Sequence, residues 1–355
     1  MKAVVYSQYG ELPQVRDIPD PSCPADGAIV AVRATGVCRS DWHAWRGHDP
    51  VVLPQVPGHE FAGVVARIGP EVKTFRVGER VTAPFVHGCG HCEYCSTGDA
   101  QVCPNQTQPG FTDPGSFAEL VVVRCADLNL VRLPDSVGFV AASALGCRFA
   151  TAFRAVTVHG RVRTGQWLAV YGCGGVGLSA VMIGVAVGAR VIAIDSRPEA
   201  LRRATELGAE HSLHSTAHTG DFTHAVGSTA VIEDAVRQIT SGGAHVTIDA
   251  VGSPAIAATA VRSLRRRGRH VQVGLLLGEA ALTALPMDRV IAHELEIYGS
   301  HGMAAVDYPA LLDLIDTGAL RPDRLVGRAI GLDRAGAALA AMDSDTSTGI
   351  TVIEI

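Results

Sequence analysis

Trp167-Leu168-Ala169-Val170-Tyr171-Gly172-Cys173-Gly174-Gly175-Val176-Gly177 is the stretch that decides the fold. Its apolar and aromatic start reads as a buried strand, and the glycines read as a tight turn opening a helix. Gly172 permits the turn, and Gly174, with Gly175 and Val176, lets backbone N–H groups approach a pyrophosphate. Gly177 lets the helix lie close to the sheet, with Ala180, Gly184 and Gly188 continuing a small-residue face. The helix N-terminus adds partial positive charge for the phosphates. Alone, a G-x-G-x-x-G also fits a glycine-rich turn with no ligand. Here the next strand, Arg190 to Ile194, leads to Asp195, 23 positions after Gly172, close to the spacing of a ribose-binding acid. A carboxylate there accepts the free 2′-hydroxyl of NAD and repels the 2′-phosphate of NADP. Arg197, two residues on, is the feature that favours NADP.

Downstream, Val246 to Ala250, Arg269 to Val273 and Leu295 to Tyr298 read as further strands between helical stretches, which predicts βαβ units and a parallel sheet. Upstream the texture differs. Ala3 to Tyr6, Ala28 to Ala34, Gly63 to Ile68, Arg80 to Ala83 and Ala118 to Val123 read as short strands punctuated by Pro and Gly, a β-rich and barrel-like domain. The tail returns to mixed character and ends in a strand, Ile350 to Ile355. The expected division is 1–148 with 290–355 for the barrel-like domain and 149–289 for the nucleotide domain. The tract from His211 to Thr229 carries no readable motif.

Composition sets the class. The 355 residues are 47% hydrophobic and 18% charged with net charge −5, a globular chain without a nucleic-acid surface. The basic cluster Arg262, Arg265, Arg266, Arg267 and Arg269 reads as a solvated helix end. Met1 to Tyr6 reads as a strand, not a signal peptide. Leu178 to Ile194, interrupted by Gly184, Gly188 and Arg190, reads as a buried helix and strand, not a membrane span. Nine cysteines in such a chain suggest metal binding or catalysis over disulfides, and a cytoplasmic location. Cys23 and Cys125 read as small apolar side chains.

Cys89, Cys92, Cys95 and Cys103 follow C-x2-C-x2-C-x7-C. Four thiolates so close fold around one tetrahedral Zn²⁺ with no vacant position, a structural site, and Gly88, Gly90 and Gly98 supply its turns. Three further segments offer ligands: Cys38 to His43, Pro57-Gly58-His59-Glu60, and Leu145-Gly146-Cys147-Arg148. Two thiolates and a neutral imidazole would hold Zn²⁺ with one position open, where the metal would acidify an alcohol so that the alkoxide expels hydride. Residue type alone does not join these distant segments.

Together, from Gly36 to the end of the nucleotide segment, these motifs resemble the zinc-containing medium-chain dehydrogenase/reductase family, in particular its alcohol dehydrogenase branch. The resemblance implies a Rossmann domain and a GroES-like catalytic domain, with a catalytic zinc on Cys38, His59 and Cys147 in the cleft where nicotinamide meets metal. It implies that Glu60 lies behind the metal and ligates it transiently, and that Asp41 holds the ligand imidazole. Ser40 is expected to take the alcohol proton and His43 to end that relay. Arg39 is expected to meet the pyrophosphate, Thr151 to pack beside the nicotinamide, and Phe85, with Trp42 and Trp45, to line the substrate pocket. The implied function is reversible oxidation of a primary or secondary alcohol to aldehyde or ketone with NAD, in a homodimer or homotetramer with two zinc ions per subunit. Partners are small-molecule alcohols, aldehydes or ketones, without nucleic acid or membrane.

Departures bear on the branch. Polyol dehydrogenases of the family usually carry glutamate in place of the third zinc cysteine, whereas Cys147 keeps the thiolate. Thr348 to Val352 lacks the Arg that some members place there for cofactor phosphate, and Cys173 is unusual inside the glycine loop. An aldehyde-biased enzyme and a non-catalytic scaffold are the competing readings. Ser40, His43, Glu60 and all three ligands together argue against the scaffold.

Overall fold

The computed structural model describes residues 1–215, 226–344 and 349–355. The motif-free tract from His211 to Thr229 and the Thr348 end of the C-terminal comparison therefore lie partly outside the described residues. Within that tract, His211–His214 forms a strand that the sequence reading missed.

The chain divides into two compact units, Met1–Ala150 with Gly302–Ile355, and Thr151–His301. In the first, Ala28–Val37 is the spine. One edge pairs antiparallel with Phe61–Ile68. The other pairs first with Leu120–Val123 and then, from Ala34, with the C-terminal strand Ile350–Glu354. Register shifts at Ile29/Val30 and Val32/Ala34 bend the spine, as bulges do. Val30, Val32, Phe61, Val65, Val81, Val121 and Val123 form the core beneath it, where β-branched side chains suit a half-buried pleat. Gln14–Asp17 and Val326–Gly331 are strands that the sequence reading did not anticipate. The first is exposed along its whole length and the second nearly so, so neither shows the apolar alternation that marks a strand.

The second unit is a six-stranded parallel sheet ordered His211–His214, Arg190–Asp195, Trp167–Tyr171, Ala244–Asp249, Leu264–Gln272, Glu296–Gly299. Numbered within the unit this is 3-2-1-4-5-6, the doubly wound order whose switch point lies beside the first strand. Glu296–Gly299 belongs to this sheet, so the units divide at His301/Gly302 and not at 289/290, and at Ala150/Thr151 and not at 148/149.

The arginine cluster is also corrected. Only Arg262 ends a helix, Pro254–Arg262. Arg265, Arg266, Arg267 and Arg269 lie in the strand Leu264–Gln272, where the register jumps between Ala244 and Val246. Neighbours hold these four: His245 Nε2 at 2.8 Å from Arg265, the Ala292 carbonyl at 3.1 Å from Arg266, Glu294 at 2.6 Å from Arg267 and Glu296 at 3.2 Å from Arg269. Among the described residues no helix is long and apolar enough to cross a membrane.

The glycine turn carries its own packing constraint. Gly172 has φ +88, and a Cβ on Gly177 would lie 1.7 Å from the Gly172 carbonyl oxygen, whereas one on Gly174 would meet nothing within 4 Å. Gly177→Ala is therefore expected to cost about 3 kcal/mol of unfolding free energy, and Gly174→Ala no more than about 1 kcal/mol. Chemical denaturation measures both, and equal midpoint shifts would contradict this account of the turn.

Candidate metal centres and nucleotide loop

Helix Arg39–Trp45 starts at Cys38, whose backbone N–H donates to Asp41 Oδ2 at 2.9 Å. Asp41 Oδ1 accepts from the Gly58 N–H at 3.0 Å and lies 2.8 Å from His59 Nδ1. Cys147 sits on a π-helical turn, Leu145–Phe149. The buried Tyr308 hydroxyl donates to the carbonyls of Leu145 and Gly146 in that turn, at 3.1 and 3.4 Å. These elements bring the Cys38 and Cys147 sulfurs and the His59 imidazole within 4.8 Å of one another.

With Nδ1 committed to Asp41, His59 Nε2 is buried and has no hydrogen-bond partner. An unpartnered imidazole nitrogen beside two sulfurs is the donor set that a thiophilic cation completes once any proton on it has left. The Cys147 thiol, hydrogen-bonded to the Cys38 sulfur, holds Cys38 well below the usual thiol range against the effect of burial, with help from Arg148 and His59. The same bond and burial drive Cys147 up. One sulfur is thus poised as thiolate, and a bound cation would displace the remaining proton.

Glu60 stands outside this set. Its Oε1 accepts from Arg148 N at 2.9 Å and Nε at 3.0 Å, and its Oε2 accepts from Arg148 Nη2. Burial pushes the Glu60 carboxyl up, and Arg148 works against that shift. Gly36 makes room for the pair, since a Cβ there would lie 2.7 Å from both Glu60 Oε2 and Arg148 Nη2. The sequence reading quoted Arg148 without a role. The signal was a glutamate destined for burial, which requires a cation.

Cys89, Cys92, Cys95 and Cys103 also bring their sulfurs within 4.8 Å of one another. All nine cysteines are free thiols. Backbone amides of Cys89 and Asn105 donate to Cys103 Sγ at 3.4 and 3.3 Å, and that of Cys95 to Cys92 Sγ at 3.5 Å. Gly90 and Gly98, at φ +81 and +92, turn the chain around the set.

In the nucleotide unit, helix Gly175–Ala186 opens at the glycine turn. Asp195 Oδ2 accepts the Cys173 N–H at 2.6 Å, and Oδ1 accepts Arg197 N at 2.8 Å and Nε at 3.3 Å. Thr151 is buried on helix Ala150–Arg154.

Residues 24–135 match the alcohol dehydrogenase GroES-like domain, and residues 175–317 the zinc-binding dehydrogenase domain. An alcohol dehydrogenase of Geobacillus stearothermophilus is 31% identical over 327 residues, covering 91% of this chain and 90% of that protein. The alcohol dehydrogenase TADH from Thermus sp. ATN1 superimposes with a TM-score of 0.89 at 28% identity, over 100% of this chain and 99% of that one. A solved NAD-dependent alcohol dehydrogenase gives 0.86 at 28% identity over 100% of both chains. The chain belongs to the zinc-containing medium-chain alcohol dehydrogenase family.

Membership in this alcohol dehydrogenase family makes the protein an oxidoreductase acting on CH–OH groups. Around the candidate centre the other expected residues sort unequally. Ser40 Oγ lies 3.9 Å from Cys38 Sγ. The rings of Phe85 and Phe111 meet that of His59 edge-on, at centroid distances of 6.0 and 5.4 Å. The sequence reading missed Phe111, which has no motif of its own. Trp45 is 3% exposed, packs in the core and donates Nε1–H to the Glu11 carbonyl at 2.5 Å. Trp42 is half-buried, with Nε1 held by Asp343 at 2.7 Å. Arg39 donates to the Met342 carbonyl at 2.9 Å.

Asp41→Asn is expected to weaken zinc binding about 10- to 100-fold, read by chelator competition; unaltered affinity would remove Asp41 from the site. Cys95→Ser is expected to lower the melting temperature through loss of metal from the four-cysteine lobe. Equal melting of wild-type protein with and without zinc in that lobe would deny it a structural role.

Proposed function

We propose that the protein is an NAD-dependent zinc alcohol dehydrogenase that reversibly oxidises a primary or secondary alcohol to an aldehyde or ketone. The observation that carries this reading is the buried, unpartnered His59 Nε2 beside two sulfurs, with Asp41 fixing the opposite ring nitrogen. Zinc held by Cys38, His59 and Cys147 would supply the Lewis acidity that favours loss of the alcohol proton near neutral pH, and NAD would supply the hydride acceptor. Asp41 keeps the imidazole in the ligand tautomer. Arg148 holds Glu60, the neighbour of His59 in sequence, and Glu60 would be the residue to exchange onto a bound zinc. Ser40, one helical turn before His43, takes the alcohol proton and hands it on. A second zinc in the four-cysteine lobe is structural.

Cofactor preference follows from Asp195. Its carboxylate favours a ribose with a free 2′-hydroxyl, and the Arg197 guanidinium is engaged by that carboxylate instead of standing free for a 2′-phosphate. A second copy of the chain is the proposed partner, in a homodimer or homotetramer. The edge strand Glu296–Gly299 lies close in sequence to exposed Leu282, Met287 and Ile291, 93%, 52% and 74% accessible, a combination that suits burial against another subunit. The free thiols suit a cytoplasmic setting.

The direct test mixes the zinc-loaded protein with NAD and a panel of alcohols and follows NADH absorbance. Cys38→Ser is expected to lower kcat about 10³-fold, roughly 4 kcal/mol, with fold and NAD binding retained. A flat wild-type trace across the panel, or preserved kcat in the variant, would refute the proposal. Asp195→Ala is expected to reduce the NAD-over-NADP ratio of kcat/KM about tenfold, and an unmoved ratio would remove it from the ribose site.

A further inference from the structure

The helix that carries Ser40 and His43 ends in a way that recruits a residue outside the motif. Gly47 has φ +78, its N–H donates to the Ala44 carbonyl at 3.0 Å, and the His48 N–H donates to the His43 carbonyl at 2.9 Å. This is a Schellman closure, in which the side chain after the glycine packs back onto the residue five positions earlier. Such closures usually join two apolar groups; here they join two imidazoles. His43 Nδ1 and His48 Nδ1 lie 3.2 Å apart, with ring centroids at 5.4 Å. Trp42 sets its edge against both rings, at 4.9 and 5.2 Å. His43 is half-buried and His48 exposed, so the pair leads from the interior of the unit to water.

We propose that His48 is the outer station of the proton path, receiving at Nδ1 the proton that His43 releases and passing it to solvent. The proposal rests on the Ser40–His43 relay reading above. An Nδ1-to-Nδ1 contact at this distance needs one donor and one acceptor, so a single proton lies between the rings. A proton arriving at His43 Nε2 is matched by one leaving Nδ1 for His48, and His43 ends each turnover neutral. The groups facing His43 favour this outcome. Burial holds its pKa below the usual imidazole range, as do His48 and Arg39, against the opposing pull of Cys38 and Asp49. His43 therefore relays the proton without retaining it, and His48 stands open to water, which can take it up.

The test compares His48→Gln and His43→Gln in the zinc-loaded enzyme, following alcohol oxidation in dilute buffer with and without added imidazole. His48→Gln is expected to lower kcat about five- to tenfold at neutral pH, with KM for NAD unchanged and rate restored by imidazole. In the cofactor-free, zinc-loaded protein, the His43 pKa followed by NMR is expected to rise when His48→Gln removes the neighbouring imidazole that holds it down. If His43→Gln slows the reaction and His48→Gln does not, the path ends at His43 and the proposal falls while the relay stands. If neither slows it, the relay reading itself fails. A loss in His48→Gln that imidazole does not restore and that tracks a lower melting temperature would reduce His48 to a helix stop.

Discussion

One buried carboxylate organises the chemistry of the first unit. Asp41 is 1% exposed and faces donors from two segments, the Cys38 and Gly58 backbones and the His59 ring. An ionised carboxylate without those partners would be strongly disfavoured in that setting. Its position in the first turn of Arg39–Trp45 adds the favourable end of the helix dipole. The same oxygens therefore start the helix, tie down the turn before His59 and leave Nε2 as the only free nitrogen of that ring. Helix start, loop course and ligand orientation are one constraint expressed three times, which is why the rest of the site can be assembled from segments far apart in sequence.

The nucleotide unit rests on contacts that exclude side chains. Gly177 leaves no room for a Cβ against the Gly172 carbonyl, and Gly184 leaves none against Leu168, where a Cβ would lie 2.7 Å from Cδ2. Beside this apolar packing runs a buried polar chain. Thr247 Oγ1 meets His270 Nδ1 at 3.0 Å, His270 Nε2 meets Gln272 Oε1 at 3.2 Å, and Gln272 Nε2 donates to Asp249 Oδ2 at 3.1 Å. Asp249 Oδ1 then accepts the Val251 and Gly252 amides. Burial lowers the His270 pKa to about 4, so its ring is neutral and can donate at one nitrogen while accepting at the other. Sheet and turns at the carboxyl ends of these strands are thereby locked together, at the edge where doubly wound folds receive ligands.

What the sequence disclosed depended on how local each signal was. The glycine loop and the four-cysteine lobe were readable because their residues adjoin within one segment and their spacing has a geometric meaning. Cys38, His59 and Cys147 could be joined only through family resemblance, since nothing in the spacing between them encodes proximity. Arg148 escaped because it acts through a tertiary partner, a buried glutamate, and His48 because its contact with His43 arises only where the helix closes at Gly47. Proximity in sequence to Cys38 likewise has no bearing on which helix face turns toward the core, where Trp45 packs. The arginine cluster failed differently: a register jump carried a run of charges onto a strand that periodicity would have started at Arg269.

The two sulfur clusters differ in the groups that surround them. In the lobe, amides of His91 and Cys92 help bring Cys89 down to about 6, while burial holds Cys95 and Cys103 above the usual thiol range against the amides that reach them. Backbone donors stay put, which suits a closed tetrahedral site. Cys38 Sγ also accepts a backbone amide, that of Asp41, but its low pKa owes most to the Cys147 thiol, with Arg148 and His59 helping, and that guanidinium is shared with Glu60. A site balanced by side chains and mobile protons can change its charge as a substrate loses a proton and still keep its ligands in place. That freedom suits the open metal position proposed for Cys38, His59 and Cys147, and a structural site has less use for it.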